Sequence, residues 1–128
     1  MSHISRIQLD VNNLNCLEKA VKKLGGTFHK NKTEFSYYAG RKGKCLHAAS
    51  FPNCSFDLGI IKGENNDYVL QWDSYSSGGL SKVLGENANK LKQTYAVEVA
   101  KNVAKMQGYI FTEKTKENGV IELKIMVN

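Results

Sequence analysis

Residues 80–108, LSKVLGENANKLKQTYAVEVAKNVAKMQG, form the longest segment of the chain with one unbroken helical period. Its apolar positions Leu84, Ala88, Leu91, Tyr95, Val99, Val103 and Met106 follow one another at steps of four or three, which draws a single stripe along an α-helix. Lys90, Lys92, Lys101, Asn102 and Lys105 fall on the other side and predict a solvated face. A helix over 88–107 is about 30 Å long at roughly 1.5 Å per residue, enough to cross a small domain. Gly85 separates a short first turn from the main body, and Gly108 supplies a left-handed stop. Such a stripe marks the core of a globular domain and leaves activity open.

The rest of the chain reads as short elements arranged on that helix. Residues 3–11 alternate as a strand with Ile7, Leu9 and Val11 inward, and Asn12 or Asn13 offers a helix cap. Leu14, Leu17, Val21 and Leu24 stripe a first helix that Gly25 and Gly26 end; Lys22 and Lys23 in its last turn suit the negative end of the helix dipole. Residues 27–38, TFHKNKTEFSYY, read as a strand interrupted at 30–32, AGRKGK turns the chain, and 45–51 return, so a basic hairpin tip projects. Residues 56–61 and 68–72 make a second hairpin around KGENND. After the long helix, 109–115 and 120–127 are joined through Asn118-Gly119, a two-residue hairpin signal. Pairing Glu117 with Val120 sets Glu113 opposite Lys124 and Ile110 opposite Val127. This order predicts an α+β fold, a single-domain two-layer sandwich over 1–128 with a mainly antiparallel sheet and two helices on one face.

A chain of 128 residues fits one core, and 41% apolar with 23% charged residues argues against disordered and fibrous classes. No apolar run reaches the roughly 18 residues that span a bilayer, and the N-terminal residues lack the apolar centre of a signal peptide, so no membrane partner is expected. Cys16, Cys45 and Cys54 match no disulfide framework, which points to a reducing cytoplasm or stroma. Residues 18–44 hold eight basic and two acidic groups, a surplus equal to the net +6 of the whole chain. An anionic partner or a solvated basic face accounts for it.

Met1-Ser2-His3-Ile4-Ser5, the helix end Leu24-Gly25, Asp57-Leu58-Gly59, the helical Gln93-Thr94-Tyr95-Ala96 and the closing Asn118-Gly119 hairpin together give the chain a likeness over nearly its whole length. It resembles the hypothetical chloroplast reading frame thirty-five family, a domain of unknown function in cyanobacteria, algal plastids and cyanobacterial phages. The resemblance implies lineage and a cyanobacterial or plastid location; it implies no activity and no catalytic residues. The family's pattern is richer in Trp and Gly just after the strand ending in Gln71-Trp72-Asp73, where this chain carries SYSSGG.

Candidate chemistry is sparse. Cys45, His47 and Cys54, with His29 or His3 as a fourth ligand, lack the paired spacing of structural zinc sites, so no metal and no other cofactor are expected. The chain has no Gly-x-Ser-x-Gly, His-Glu-x-x-His or phosphate-loop pattern. Asp57, Asp67 and Asp73 are placed to cluster at one end of the second hairpin for acid/base work, and solvated strand ends are the simpler reading. His3 reads more simply as a packing residue than as a functional one. Lys30, Lys32, Arg41, Lys42 and Lys44 flank Tyr37 and Tyr38, and basic groups beside aromatic rings can track phosphates while stacking bases. The expectation is therefore a non-catalytic accessory or adaptor domain acting on an unidentified protein partner, with nucleic-acid binding through the basic face of residues 18–44 as the alternative.

Overall fold

A computed structural model describes the backbone of residues 4–9 and 13–126, with side chains from Asn13 to Met126. Strand β1 (Ile4–Leu9) is followed by α1 (Leu14–Lys23), β2 (Thr27–His29), β3 (Glu34–Ser36), β4 (Lys42–Lys44), β5 (His47–Ser50), β6 (Leu58–Lys62), β7 (Tyr68–Asp73), α2 (Leu80–Leu84), α3 (Asn89–Met106), β8 (Ile110–Thr115) and β9 (Ile121–Met126). The α+β class is as the sequence predicts. Five strands form one antiparallel sheet in the order β1-β7-β6-β5-β2, and β3-β4 and β8-β9 are separate two-stranded ribbons. His3, Asn12 and Val11, and the inward placement of Ile7 and Leu9, lie outside the described residues and side chains.

Local chemistry sets the helix limits. Asn13 Oδ1 accepts the Cys16 N–H at 3.1 Å and starts α1, and Gly25 at φ +87° ends it. Between α2 and α3 the backbone takes positive φ at Gly85 (φ +82°), Asn87 and Ala88, so the long periodic segment is broken into two helices. Leu84, Ala88, Leu91 and Tyr95 join Leu17, Val21, Leu58, Ile60, Leu70 and Trp72 in one core between the helices and one face of the sheet. The apolar stripe does not stay buried beyond that. Val99 is half-buried, while Val103 and Met106 are exposed, because the covered face of α3 turns from Leu91 and Tyr95 to Glu98, Lys101 and Ala104, and Val103 and Met106 lie off it.

Side chains alternate along a strand, so Leu58 and Ile60 face the helices and Gly59 between them faces the other way. There the ring of Phe35, 2% exposed, lies so close that a Cβ at Gly59 would sit 2.5 Å from it. The β3-β4 ribbon therefore covers the second face of the sheet. This splits the predicted 27–38 strand: β2 pairs with β5 in the main sheet, Asn31 turns at φ +65°, and β3 leaves to pair with β4. The predicted 45–51 return holds β5 at residues 47–50, while β4 forms within the stretch predicted as the turn.

The C-terminal hairpin differs from expectation by one residue. Lys116 N–H donates to Val120 O and Gly119 N–H to Lys116 O, with φ +83° at Gly119 alone among the turn residues, so the loop has three residues and a bulge at the glycine. Glu113 thereby lies opposite Leu123, not Lys124, and Ile110 opposite Met126, not Val127. A shift of one residue exchanges faces. Glu113 consequently points at the helices.

Candidate functional site

Two surfaces stand out. On the ribbon side, Asp57 Oδ2 accepts the Ser36 N–H at 3.0 Å, and Asp73 accepts the Tyr38 N–H at 3.3 Å and the Tyr75 N–H at 3.0 Å. These two carboxylates hold the segment that carries the ribbon. Asp67 is at the opposite end of the β6-β7 hairpin, accepting the Asn65 N–H at 3.3 Å, so the three aspartates do not cluster as expected. Their work is to satisfy backbone donors.

With Phe35 and Gly43 turned to the sheet, the cross-strand pairs Glu34-Lys44 and Ser36-Lys42 occupy the outer positions of the ribbon. Lys32, Arg41, Lys42 and Lys44 are exposed on or beside the ribbon, and Lys30, also exposed, lies near His47. Lys42 Nζ donates to Ser36 Oγ at 2.5 Å, and Lys32 Nζ is 3.7 Å from Asp57. Tyr37 and Tyr38 are half-buried: the Tyr37 ring tilts on Phe35 at 6.0 Å, and the Tyr38 ring meets Tyr75 edge-on at 5.4 Å. The basic surplus of residues 18–44 is divided, because Lys22 and Lys23 belong to α1 on the helical side of the sheet, where Lys22 pairs with Glu18 at 3.3 Å.

The helical side carries an ion network. Glu98 of α3, 9% exposed, lies 3.1 Å from Lys101 and 3.6 Å from Lys23. Glu113 of β8 reaches Lys23 at 2.8 Å and forms its closest pair with Lys101. Burial alone would lower the Lys101 ammonium, but its hydrogen bonds to Glu113 and Glu98 outweigh that and raise it above the ordinary lysine value. The same bonds from Lys101 and then Lys23 hold the Glu113 carboxyl below the usual carboxylate range. Lys101 is thus a half-buried clamp between α3 and the hairpin, not part of a solvated face. Gln93 Nε2 adds a latch to Gly119 O at 3.2 Å, and Tyr95 is buried with its hydroxyl pushed up to about 12 by desolvation. The Gln93-Thr94-Tyr95 run thus contributes to architecture.

Nucleophile chemistry finds no support in the thiols. Burial raises the pKa of Cys16, Cys45 and Cys54 alike, which favours the protonated thiol over the nucleophilic thiolate. Cys45 Sγ donates to Lys32 O, while His47 is enclosed by Phe28 and Tyr68 and accepts the Asn31 N–H on Nδ1 at 2.9 Å. Burial, then Lys30, lowers its pKa and keeps it neutral. Among the described residues no group of three His, Cys, Asp or Glu side chains is placed to hold a metal ion. No helix among them is long and apolar enough to cross a membrane.

The second surface was not predicted. Val103 and Met106 on α3, Ile110 on β8, and Val120, Ile125 and Met126 around β9 are exposed. With Leu46, they are the exposed large apolar side chains of the described residues. Asn118-Gly119 signalled the hairpin, and the bulge at Gly119 sets the register that turns Ile110 and Met126 to the face opposite Glu113.

No family model, curated protein or solved structure matches the chain. Fold and surfaces together define a small α+β domain with a basic ribbon over one face of its sheet and an apolar C-terminal segment.

Proposed function

We propose that the chain is a non-catalytic accessory or adaptor domain that acts through protein contacts, in the cyanobacterial, plastid or phage setting its sequence resembles. One observation carries this reading: six of the seven exposed large apolar side chains of the described residues fall within residues 103–126, with Ile110 and Met126 on one face of the hairpin and Ile125 on the other. Val103 and Met106 share a helix face at i,i+3, and Ile110 and Met126 lie directly opposite each other in the hairpin. Scattered apolar residues are ordinary on protein surfaces, whereas a gathered set marks a contact site.

The alternative is nucleic-acid binding by the ribbon, favoured by the exposure of Lys30, Lys32, Arg41, Lys42 and Lys44. The packing of Tyr37 on Phe35 and of Tyr38 on Tyr75 weighs against free stacking platforms. Capture from a cyanobacterial lysate separates the two. Protein captured by the unaltered chain, insensitive to nuclease and lost with Val103→Ser/Met106→Ser, supports the adaptor. Material released by nuclease and lost with Arg41→Glu/Lys42→Glu/Lys44→Glu supports the alternative, whose binding should also fall with salt at a logarithmic slope of about −0.7 per neutralised phosphate.

A further inference from the structure

Residues 120–126, VIELKIM, read as a chemical palindrome about Leu123. Val120 mirrors Met126, Ile121 mirrors Ile125, and Glu122 mirrors Lys124 with the charge reversed. In an antiparallel pairing of two identical strands centred on Leu123, every apolar residue meets an apolar residue and every charge its opposite. Resting on the reading of the C-terminal segment as a protein-contact surface, we propose that β9 pairs with β9 of a second copy of this chain, about a two-fold axis at Leu123, making one four-stranded sheet from two hairpins.

The backbone agrees with that register. Val120 O accepts from Lys116, so alternate residues Glu122, Lys124 and Met126 turn their backbone groups to β8, and Ile121, Leu123 and Ile125 turn theirs to the other edge. Among the described residues β9 has β8 as its sole strand partner, which leaves that edge open. The outward set is the one the two-fold axis pairs with itself: Ile121 with Ile125 of the second copy, and Leu123 with its own counterpart. A register shifted by one would oppose inward to outward backbone groups and fail.

Side-chain exposure fits as well. Val120, Ile125 and Met126 are 44%, 40% and 54% exposed, and each gains an apolar neighbour across the axis. Edge strands usually carry charge to repel other edges. Here Glu122 and Lys124 select a like edge, because each repeats opposite its complement. Glu122 now pairs with Lys116 at 3.2 Å, both half-exposed, a contact weak enough to share or exchange. An isologous interface of this kind closes as a dimer and leaves Val103 and Met106 for a different protein.

Sedimentation equilibrium on the full chain tests the proposal with two single variants at exposed positions. Glu122→Lys and Lys124→Glu should each weaken self-association about tenfold, since the axis places each like-charged pair twice. An equimolar mixture of the two should regain the affinity of the unaltered chain, because lysines then face glutamates at both places. Amides of Ile121, Leu123 and Ile125 should become protected from exchange as concentration rises. An unaltered chain that stays monomeric into the millimolar range overturns the proposal, as does a mixture no tighter than its components. Failure here leaves the adaptor reading to be decided separately by the Val103→Ser/Met106→Ser capture.

Discussion

Replacing Lys101 by Met removes the ammonium at the centre of the ion network while keeping an apolar stem of similar length. The side chain of Lys101 is 16% exposed and that of Glu98 10%, so the change leaves a mostly buried carboxylate short of its nearest cation. Breaking a fully buried pair costs about 3–5 kcal/mol. Lys23 remains 2.8 Å from Glu113 and 3.6 Å from Glu98, and both Lys23 and Glu113 reach solvent, which reduces the expected loss to about 1–3 kcal/mol. For a domain of this size that lowers the melting temperature by roughly 4–12 °C. Lys101→Asp, which adds a third carboxylate, should cost more. The deficit of Lys101→Met should also depend on pH. Glu113 has a lowered folded pKa, so its contribution is present above the ordinary glutamate value and is lost as pH falls through the depressed one. Lys101 has a raised folded pKa, so its contribution is present below the ordinary lysine value and is lost as pH rises through the raised one. The stability gap between the unaltered chain and Lys101→Met should therefore be widest at neutral pH and close at both extremes. Thermal unfolding followed by circular dichroism measures it. If Lys101→Met melts like Lys105→Met, an exposed control on the same helix, the network does not hold the hairpin to α3.

Other outcomes follow from packing and burial. Gly59→Ala should cost about 1–3 kcal/mol by forcing the Phe35 ring off the sheet, and should open residues 37–44 to protease before the rest of the domain unfolds; unchanged cleavage there would mean that the ribbon is held by other contacts. His47 is neutral and buried with a lowered pKa, so its contribution is present above the ordinary histidine value and is lost as pH falls through the depressed one. His47→Gln should flatten that part of the stability curve, and an unaltered slope would assign it to another group. Val97 is buried on the α3 face beneath the hairpin, and Val97→Asp should cost upwards of about 2 kcal/mol by burying an unpaired charge, against near neutrality for the exposed Val103→Asp.

Periodicity read the helices and the central hairpin well, because Leu17, Val21, Leu91 and Tyr95 are buried by the same sheet face that Leu58, Ile60, Leu70 and Trp72 supply. It misread the far half of α3 because a stripe records apolar spacing and not which face the neighbouring elements cover; there the covered face holds Glu98, Lys101 and Ala104, and Val103 and Met106 fall off it. The C-terminal hairpin was displaced by one residue because Asn118-Gly119 suits both a two-residue turn and a three-residue loop with a bulged glycine, and only the second turns Glu113 toward Lys23 and Lys101. The network itself left a trace: Glu98 follows Tyr95 by three on the buried side, and a carboxylate there demands a cation such as Lys101 three residues on. The lysines of the basic surplus were counted correctly, but their division between α1 and the ribbon depends on which side of the sheet each element covers, which charge counting cannot report.

β1 and β2, consecutive in the chain, run parallel at opposite edges of the sheet, with the β5-β6-β7 meander between them. Four strand gaps of about 4.8 Å separate them, a width close to the roughly 15 Å length of the ten-residue α1 that bridges them. This sets an order of assembly. The meander can zip through neighbouring hairpins, but Ile4 must await Asp73 and His29 must await Ala48 before either flank is closed. β1, which precedes the meander in the chain, is thus among the last strands to be locked, and until α1 spans the gap both flanks of the meander are open to intermolecular strand exchange. Refolding should show a slow, concentration-sensitive phase that a peptide of the meander alone would lack, and moving β1 by circular permutation should change its rate more than the final stability.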